Sequence, residues 1–167
     1  MWRIIIGFGA IGRHLAHLVA PLFARLRVVS RSRPEDVPPG VEVEDGARVM
    51  EVVASADVVF VAVPLTAETR ALFGPSFFAA LKSGALLVNV ARGELLDEDL
   101  VLAFLSRSPT SVYATDVASP EPYPSSGKLR GSARVIMTPH VGARREDAWS
   151  SIQASTLEVL QEERGRR

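Results

Sequence analysis

Arg3-Ile4-Ile5-Ile6-Gly7-Phe8-Gly9-Ala10-Ile11-Gly12 is the stretch on which the fold turns. Residues 3–6 are a short apolar run of the kind that fills a buried strand. Glycines in G-x-G-x-x-G spacing follow, and Ile11, Leu15, Leu18 and Val19 then recur at a helical period. Between a strand and a helix, that spacing has a physical purpose. The first glycine makes a tight turn, the second lets a pyrophosphate approach bare backbone, and the third lets the helix lie close to the strand. The helix start adds N–H groups and partial positive charge for the anion. Glycines also mark ordinary turns, so the motif takes its meaning from this context.

Outward from it, strands and helices alternate. Apolar strands are expected at 26–30, 41–43, 57–63, 85–90, 112–115 and 134–137. Helical patterns fall at 46–56, 68–73, 75–82 and 97–106, the last with Asp97 as N-cap. A closing amphipathic helix is expected over 146–161, with a frayed tail at 162–167. The segment 57–63 (DVVFVAV) is apolar almost throughout, as a strand covered on both faces must be. This order predicts an α/β fold: a doubly wound parallel sheet in three αβα layers, one domain over 1–161.

Composition narrows the function. The chain has 167 residues, 47% of them hydrophobic and 23% charged, which suits a single globular domain with a proper core. Lys+Arg and Asp+Glu both number 19, so no basic excess points to nucleic acid or a membrane surface. Cysteine is absent, which excludes disulfides, zinc–thiolate sites and thiol nucleophiles. No metal site is expected. No apolar run has membrane-span length and no signal segment opens the chain, so a cytoplasmic protein is expected.

In an open α/β sheet, ligands bind at the carboxyl ends of the strands. After the second strand stands Ser30-Arg31-Ser32-Arg33. An acidic residue about twenty positions past the glycines would hydrogen-bond the adenosine ribose of NAD. Arginines suit a 2′-phosphate instead, because the guanidinium fork matches phosphate oxygens. The competing reading is a solvated basic turn, with Glu35 and Asp36 close by. After the fifth strand, Arg92-Gly93 aims a fixed positive charge at the crevice or pairs with a neighbouring helix. Asp116 follows the sixth strand, with Glu121 beyond it, and Thr138-Pro139-His140 follows the last. Arg, Glu and His near strand ends suit ketone reduction. Histidine supplies a proton near neutral pH, a carboxylate fixes its tautomer, and arginine holds an anionic substrate and polarises its carbonyl.

Taken together, GFGAIGRHLA (7–16), VPLTAETRALF (63–73), LKSGALLVNVARGELLDEDL (81–100), ATDVASPEP (114–122) and TPHVGA (138–143) resemble the coenzyme domain of the D-isomer-specific 2-hydroxyacid dehydrogenases. That fold is of the Rossmann type. The resemblance implies reversible hydride transfer between a nicotinamide coenzyme and a small 2-oxo or 2-hydroxy acid. It implies Arg92 as the substrate-binding arginine, His140 as acid/base and Glu121 as its carboxylate partner. It places Gly7, Gly9, Ala10, Ile11 and Gly12 at the pyrophosphate, and Ser30, Arg31 and Arg33 at the adenosine ribose. Pro64 falls in the adenosine pocket and Asp116 at the nicotinamide carboxamide, and Val63, Thr69, Val90, Ala91 and Gly142 are further coenzyme-binding residues.

Two departures stand out. Ser30-Arg31 replaces the acidic ribose binder of many NAD-using members, so NADP is the expected coenzyme, with NAD as the alternative. The chain also begins at the first strand of the coenzyme domain, whereas family members carry a substrate domain before it. The encoded site is then one wall of a cleft. Weak or absent activity is expected of it alone, as a domain either truncated or completed by a separate substrate domain, and its exposed face favours self-association, as a homodimer, or another partner. The alternative is a non-catalytic NAD(P)-binding regulatory or interaction module. A ligand-free remnant is the third reading.

Overall fold

The computed structural model describes residues 1–142. The closing helix expected over 146–161 and the tail at 162–167 lie outside them. A sheet of seven strands forms the centre: β1 (Trp2–Ile6), β2 (Leu26–Ser30), β3 (Val41–Asp45), β4 (Ala56–Val61), β5 (Leu86–Asn89), β6 (Val112–Thr115) and β7 (Val135–Met137). The order across it is β3-β2-β1-β4-β5-β6-β7, and every pairing is parallel. The chain winds outward from β1 toward β3, then returns to β4 and winds the other way. The strand order reverses between β1 and β4, so their carboxyl ends open a crevice there.

Helices α1 (Ala10–Val19), α2 (Val49–Ala54), α3 (Ala67–Leu72), α4 (Pro75–Ala80) and α5 (Glu98–Arg107) connect the strands. The alternation of β1 divides its side chains between two cores. Ile4 and Ile6 join Val52, Val53, Phe77 and Phe104 of α2, α4 and α5 on one face. Ile5 joins Val28, Ala16 and Val19 on the other, beneath α1. The aromatic rings of Phe73 and Phe77 meet edge to face at 4.8 Å and lock α3 to α4. Asp97 caps α5 by accepting from the Asp99 and Leu100 amides.

Three sequence expectations are corrected here. The helix expected over 46–56 is a tight 3-10 turn at Gly46–Arg48 followed by α2. Asp45 accepts from the Ala47 amide and starts that turn early. The third strand extends to Asp45, because Val41–Asp45 pairs along the whole of β2. In α1 the inward face is Gly12, Ala16 and Val19, while Ile11 and Leu18 are exposed. Small residues let the helix press against the sheet, and the large apolar ones turn outward.

Candidate functional site

The bend after β1 is built from backbone. Gly7 has φ +100, and a Cβ there would stand 2.5 Å from the Ala62 carbonyl oxygen and 2.8 Å from Val63 Cγ1. No other residue fits. A Cβ at Gly12 would meet the Gly7 carbonyl oxygen at 2.0 Å, which is how close α1 lies to the bend. Gly9 differs: nothing lies within 4 Å of where its Cβ would be. The second glycine therefore faces open crevice. No side chain caps α1, and no acidic residue stands in its first turn. Its leading N–H groups, at Ala10 and Ile11, meet that crevice beside an uncancelled positive helix end. A backbone cradle of this kind fits the diphosphate of a dinucleotide.

The crevice walls carry the other expected coenzyme residues. Half-buried Ser30 ends β2, and Arg31 and Arg33 are exposed beyond it. The Arg31 stem runs past Gly46, whose Cβ would sit 3.4 Å from Arg31 Cγ. The Glu68 carboxyl is held below its ordinary value, first by the Thr66 hydroxyl and least by the Arg31 charge. After β4, half-buried Val63 and exposed Pro64 line the opposite wall. Thr69 is buried, and its hydroxyl donates to the Pro64 carbonyl oxygen at 2.6 Å while accepting from the Thr66 amide at 2.8 Å. It pins the Pro64 loop from behind. Val90 is half-buried after β5, and Ala91 is buried in the main core, so only its backbone faces the crevice.

Farther along the same edge stand the residues expected to carry the chemistry. Glu121 Oε2 lies 2.7 Å from His140 Nδ1, and Glu121 Oε1 accepts from the Ala118 amide at 2.9 Å. The His140 bond, then the Ala118 bond, hold the Glu121 carboxyl below the usual glutamate range, with a smaller contribution from Arg92. Arg92 is exposed, with Nη1 donating to the Ala91 carbonyl oxygen at 2.6 Å. His140 has φ +52, a left-handed backbone that costs a residue with a Cβ roughly 1–2 kcal/mol. Asp116 stands behind it: Oδ1 accepts from the Thr138 hydroxyl at 2.5 Å and the Val141 amide at 3.0 Å, and Oδ2 from the Gly142 amide at 2.8 Å. Burial alone would raise the Asp116 carboxyl, but these bonds and the His140 charge hold it below its usual value. An open cleft of about 990 Å³ adjoins the pair, lined in part by Asp116, Glu121, Tyr123, Arg130 and His140.

Sequence reasoning missed two supports. Asn89 is fully buried, and its side chain accepts from the Ala91 amide and donates to the Arg92 carbonyl oxygen, shaping the arginine loop. The signal was there: an amide inside the apolar run ALLVNV must find partners. Gly93 is the other. A Cβ there would stand 2.1 Å from the Ala118 carbonyl carbon, so the glutamate loop rests directly on the arginine loop. Among the described residues no group of acidic or histidine side chains could hold a metal ion, and no helix is long and apolar enough to cross a membrane.

The chain is similar to known proteins in sequence and in fold. The model of the D-isomer specific 2-hydroxyacid dehydrogenase NAD binding domain matches residues 3–142. D-3-phosphoglycerate dehydrogenase of Bacillus subtilis is 34% identical over 162 residues, 96% of this chain and 30% of that protein. A D-isomer specific 2-hydroxyacid dehydrogenase from Xanthobacter autotrophicus Py2, solved with NADPH and MES, superposes with a TM-score of 0.75 at 32% identity over 84% of this chain and 58% of that one. NAD-dependent formate dehydrogenase from Staphylococcus aureus, solved with NAD, gives a TM-score of 0.81 at 29% identity over 95% of this chain and 47% of that one. The chain spans between 30% and 41% of the length of such curated relatives. With the glycine bend, the parallel sheet and these matches in agreement, the chain belongs to the D-isomer specific 2-hydroxyacid dehydrogenase family, as its NAD-binding domain.

Proposed function

We propose that this domain forms the coenzyme wall of a reversible hydride transfer between a nicotinamide dinucleotide and a small 2-oxo or 2-hydroxy acid. The observation that carries the reading is the 2.7 Å bond between Glu121 and His140, on the same sheet edge as the glycine bend. With Nδ1 engaged by the carboxylate, Nε2 is the nitrogen left to give a proton to a developing alkoxide, or to take one from a hydroxyl. The carboxylate fixes the tautomer and stabilises the imidazolium. Arg92 holds the substrate carboxylate and polarises its carbonyl. The nicotinamide, when bound, carries the hydride, and the protein supplies orientation and charge.

Gly7, Gly9, Ala10, Ile11 and Gly12 would hold the diphosphate through their backbone. Val63, Pro64, Val90 and Ala91 would flank the coenzyme, with Asp116 and Gly142 near its nicotinamide end. NADP is the preferred coenzyme in this reading. Its support is the pair of exposed arginines at 31 and 33, with no acidic residue between positions 30 and 33. One solved neighbour holds NADPH and another NAD, so the class of coenzyme is common to both and the choice rests on these side chains.

The side chains of His140 and Glu121 are 45% and 38% exposed. Water therefore reaches the pair, and among the described residues Arg92 is the one group assigned to hold a small acid against it. Positioning is worth about 7–11 kcal/mol of barrier, so efficient turnover needs a second wall, from a substrate domain or another subunit. The same exposure favours a second reading, a nucleotide-binding module without turnover. Glyoxylate or hydroxypyruvate reduction, measured after adding a separately expressed substrate domain of a relative, separates the two. Catalysis predicts restored activity that His140→Ala abolishes. Coenzyme binding with no restored activity favours the module.

A further inference from the structure

We infer that Asp116 is a positioning residue for His140, clasping the loop that carries it before any coenzyme arrives. The loop leaves β7 at Met137 and must turn sharply to bring His140 back over Glu121. It does so with His140 itself in the left-handed region, at φ +52. Such a conformation persists only where its surroundings impose it. The constraint is visible on both sides of the histidine. Two residues before it, the Thr138 hydroxyl donates to Asp116 Oδ1, and the Thr138 amide donates to the Thr115 carbonyl oxygen at 3.0 Å. One and two residues after it, the Val141 and Gly142 amides donate to Oδ1 and Oδ2. One carboxylate at the end of β6 thus receives three donors that bracket His140 in sequence, and bonds to an ionised acceptor are the strong ones.

The inference rests on the dehydrogenase reading only for why His140 matters. It assigns Asp116 work that needs no nucleotide, beyond any contact with the nicotinamide end. Among the described residues, Glu121 bonds His140 and the Ala118 amide, and the Arg92 and Asp116 charges act on the pair from farther off. Removing the Asp116 charge would itself alter the field at His140, so a charge-neutral change is needed beside it. Thr138→Val removes one donor of the clasp and keeps every charge.

The test uses the full chain without coenzyme. Carbon-13 NMR follows the Glu121 carboxyl through a pH titration, its signal assigned by its loss in Glu121→Gln, and hydrogen exchange follows the Val141 and Gly142 amides. Both Thr138→Val and Asp116→Asn are expected to speed exchange of the two amides at least 10-fold and to move the Glu121 titration upward, toward that of an ordinary glutamate. Unchanged exchange in both variants overturns the clasp. Faster exchange with an unmoved Glu121 titration overturns the positioning role, because the loop would then be loosened without disturbing His140. A chain that binds no nicotinamide dinucleotide would defeat the dehydrogenase reading and leave this result standing.

Discussion

The two ends of the crevice are built in opposite ways. The glycine bend between β1 and α1 is all backbone: Gly7 and Gly12 fit because no side chain could, and Gly9 opens outward because nothing crowds it. It asks nothing of the solvent or of ionisation. The Glu121–His140 end depends on side chains: it is solvent-exposed and held by two carboxylates that bond His140, the Thr138 hydroxyl and three backbone amides. In the proposed function, the grip on the coenzyme is therefore a property of the fold itself. The chemistry is an arrangement laid on top of it, sensitive to pH and to what covers it.

That contrast can be attacked from either end. Gly12→Ala should be the most damaging single change, since its new Cβ would lie 2.0 Å from a backbone oxygen that cannot move aside. A loss of about 3 kcal/mol is expected, or a melting temperature lower by roughly 6–12 °C, read by thermal unfolding. Arg31→Ala comes next and should leave folding alone. It is expected to weaken NADPH about tenfold, near 1.4 kcal/mol, while NADH affinity stays within about twofold, as titration of nicotinamide fluorescence will show. Equal losses for both coenzymes would remove the 2′-phosphate assignment.

The smallest effect concerns acid. Glu121 has a folded-state pKa below its unfolded one, so its stabilisation is complete above about 4.3 and is lost as pH falls through the lower folded value. Glu121→Gln should melt slightly below the native protein at pH 7, and the gap should close toward pH 3. A gap that widens in acid would contradict the His140 and Ala118 bonds as its cause.

Much of this was legible before any coordinates. The strand ends that carry Arg92, Glu121 and His140 could be read because parallel strands announce themselves as apolar runs and ligands gather at their carboxyl ends. The bend was legible because glycine is the one residue type whose absence of a side chain is itself a signal. What escaped reading was direction. Ile11 and Leu18 keep a helical period with Val19, yet they face out, because close packing of α1 on the sheet selects Gly12 and Ala16 for the inner side. Hydrophobicity alone does not tell which of two apolar stripes is the thin one. The inward bond of Thr69 escaped for a similar reason: a hydroxyl in the first turn of α3 can turn to a carbonyl as readily as to solvent. Asp116 shows the same ambiguity in a carboxylate, since its partners at Thr138, Val141 and Gly142 lie more than twenty residues away and only folding brings them to it.

The central claim is that backbone amides at an open bend hold the nucleotide, and Gly9 tests it most directly. Its φ of −74 admits any residue, and the space beside it is empty, so Gly9→Val should fold and melt like the native chain. The account predicts saturable NADPH binding by the native chain, followed by nicotinamide fluorescence, and none by Gly9→Val at the same melting temperature. Equal binding by the two proteins would contradict it.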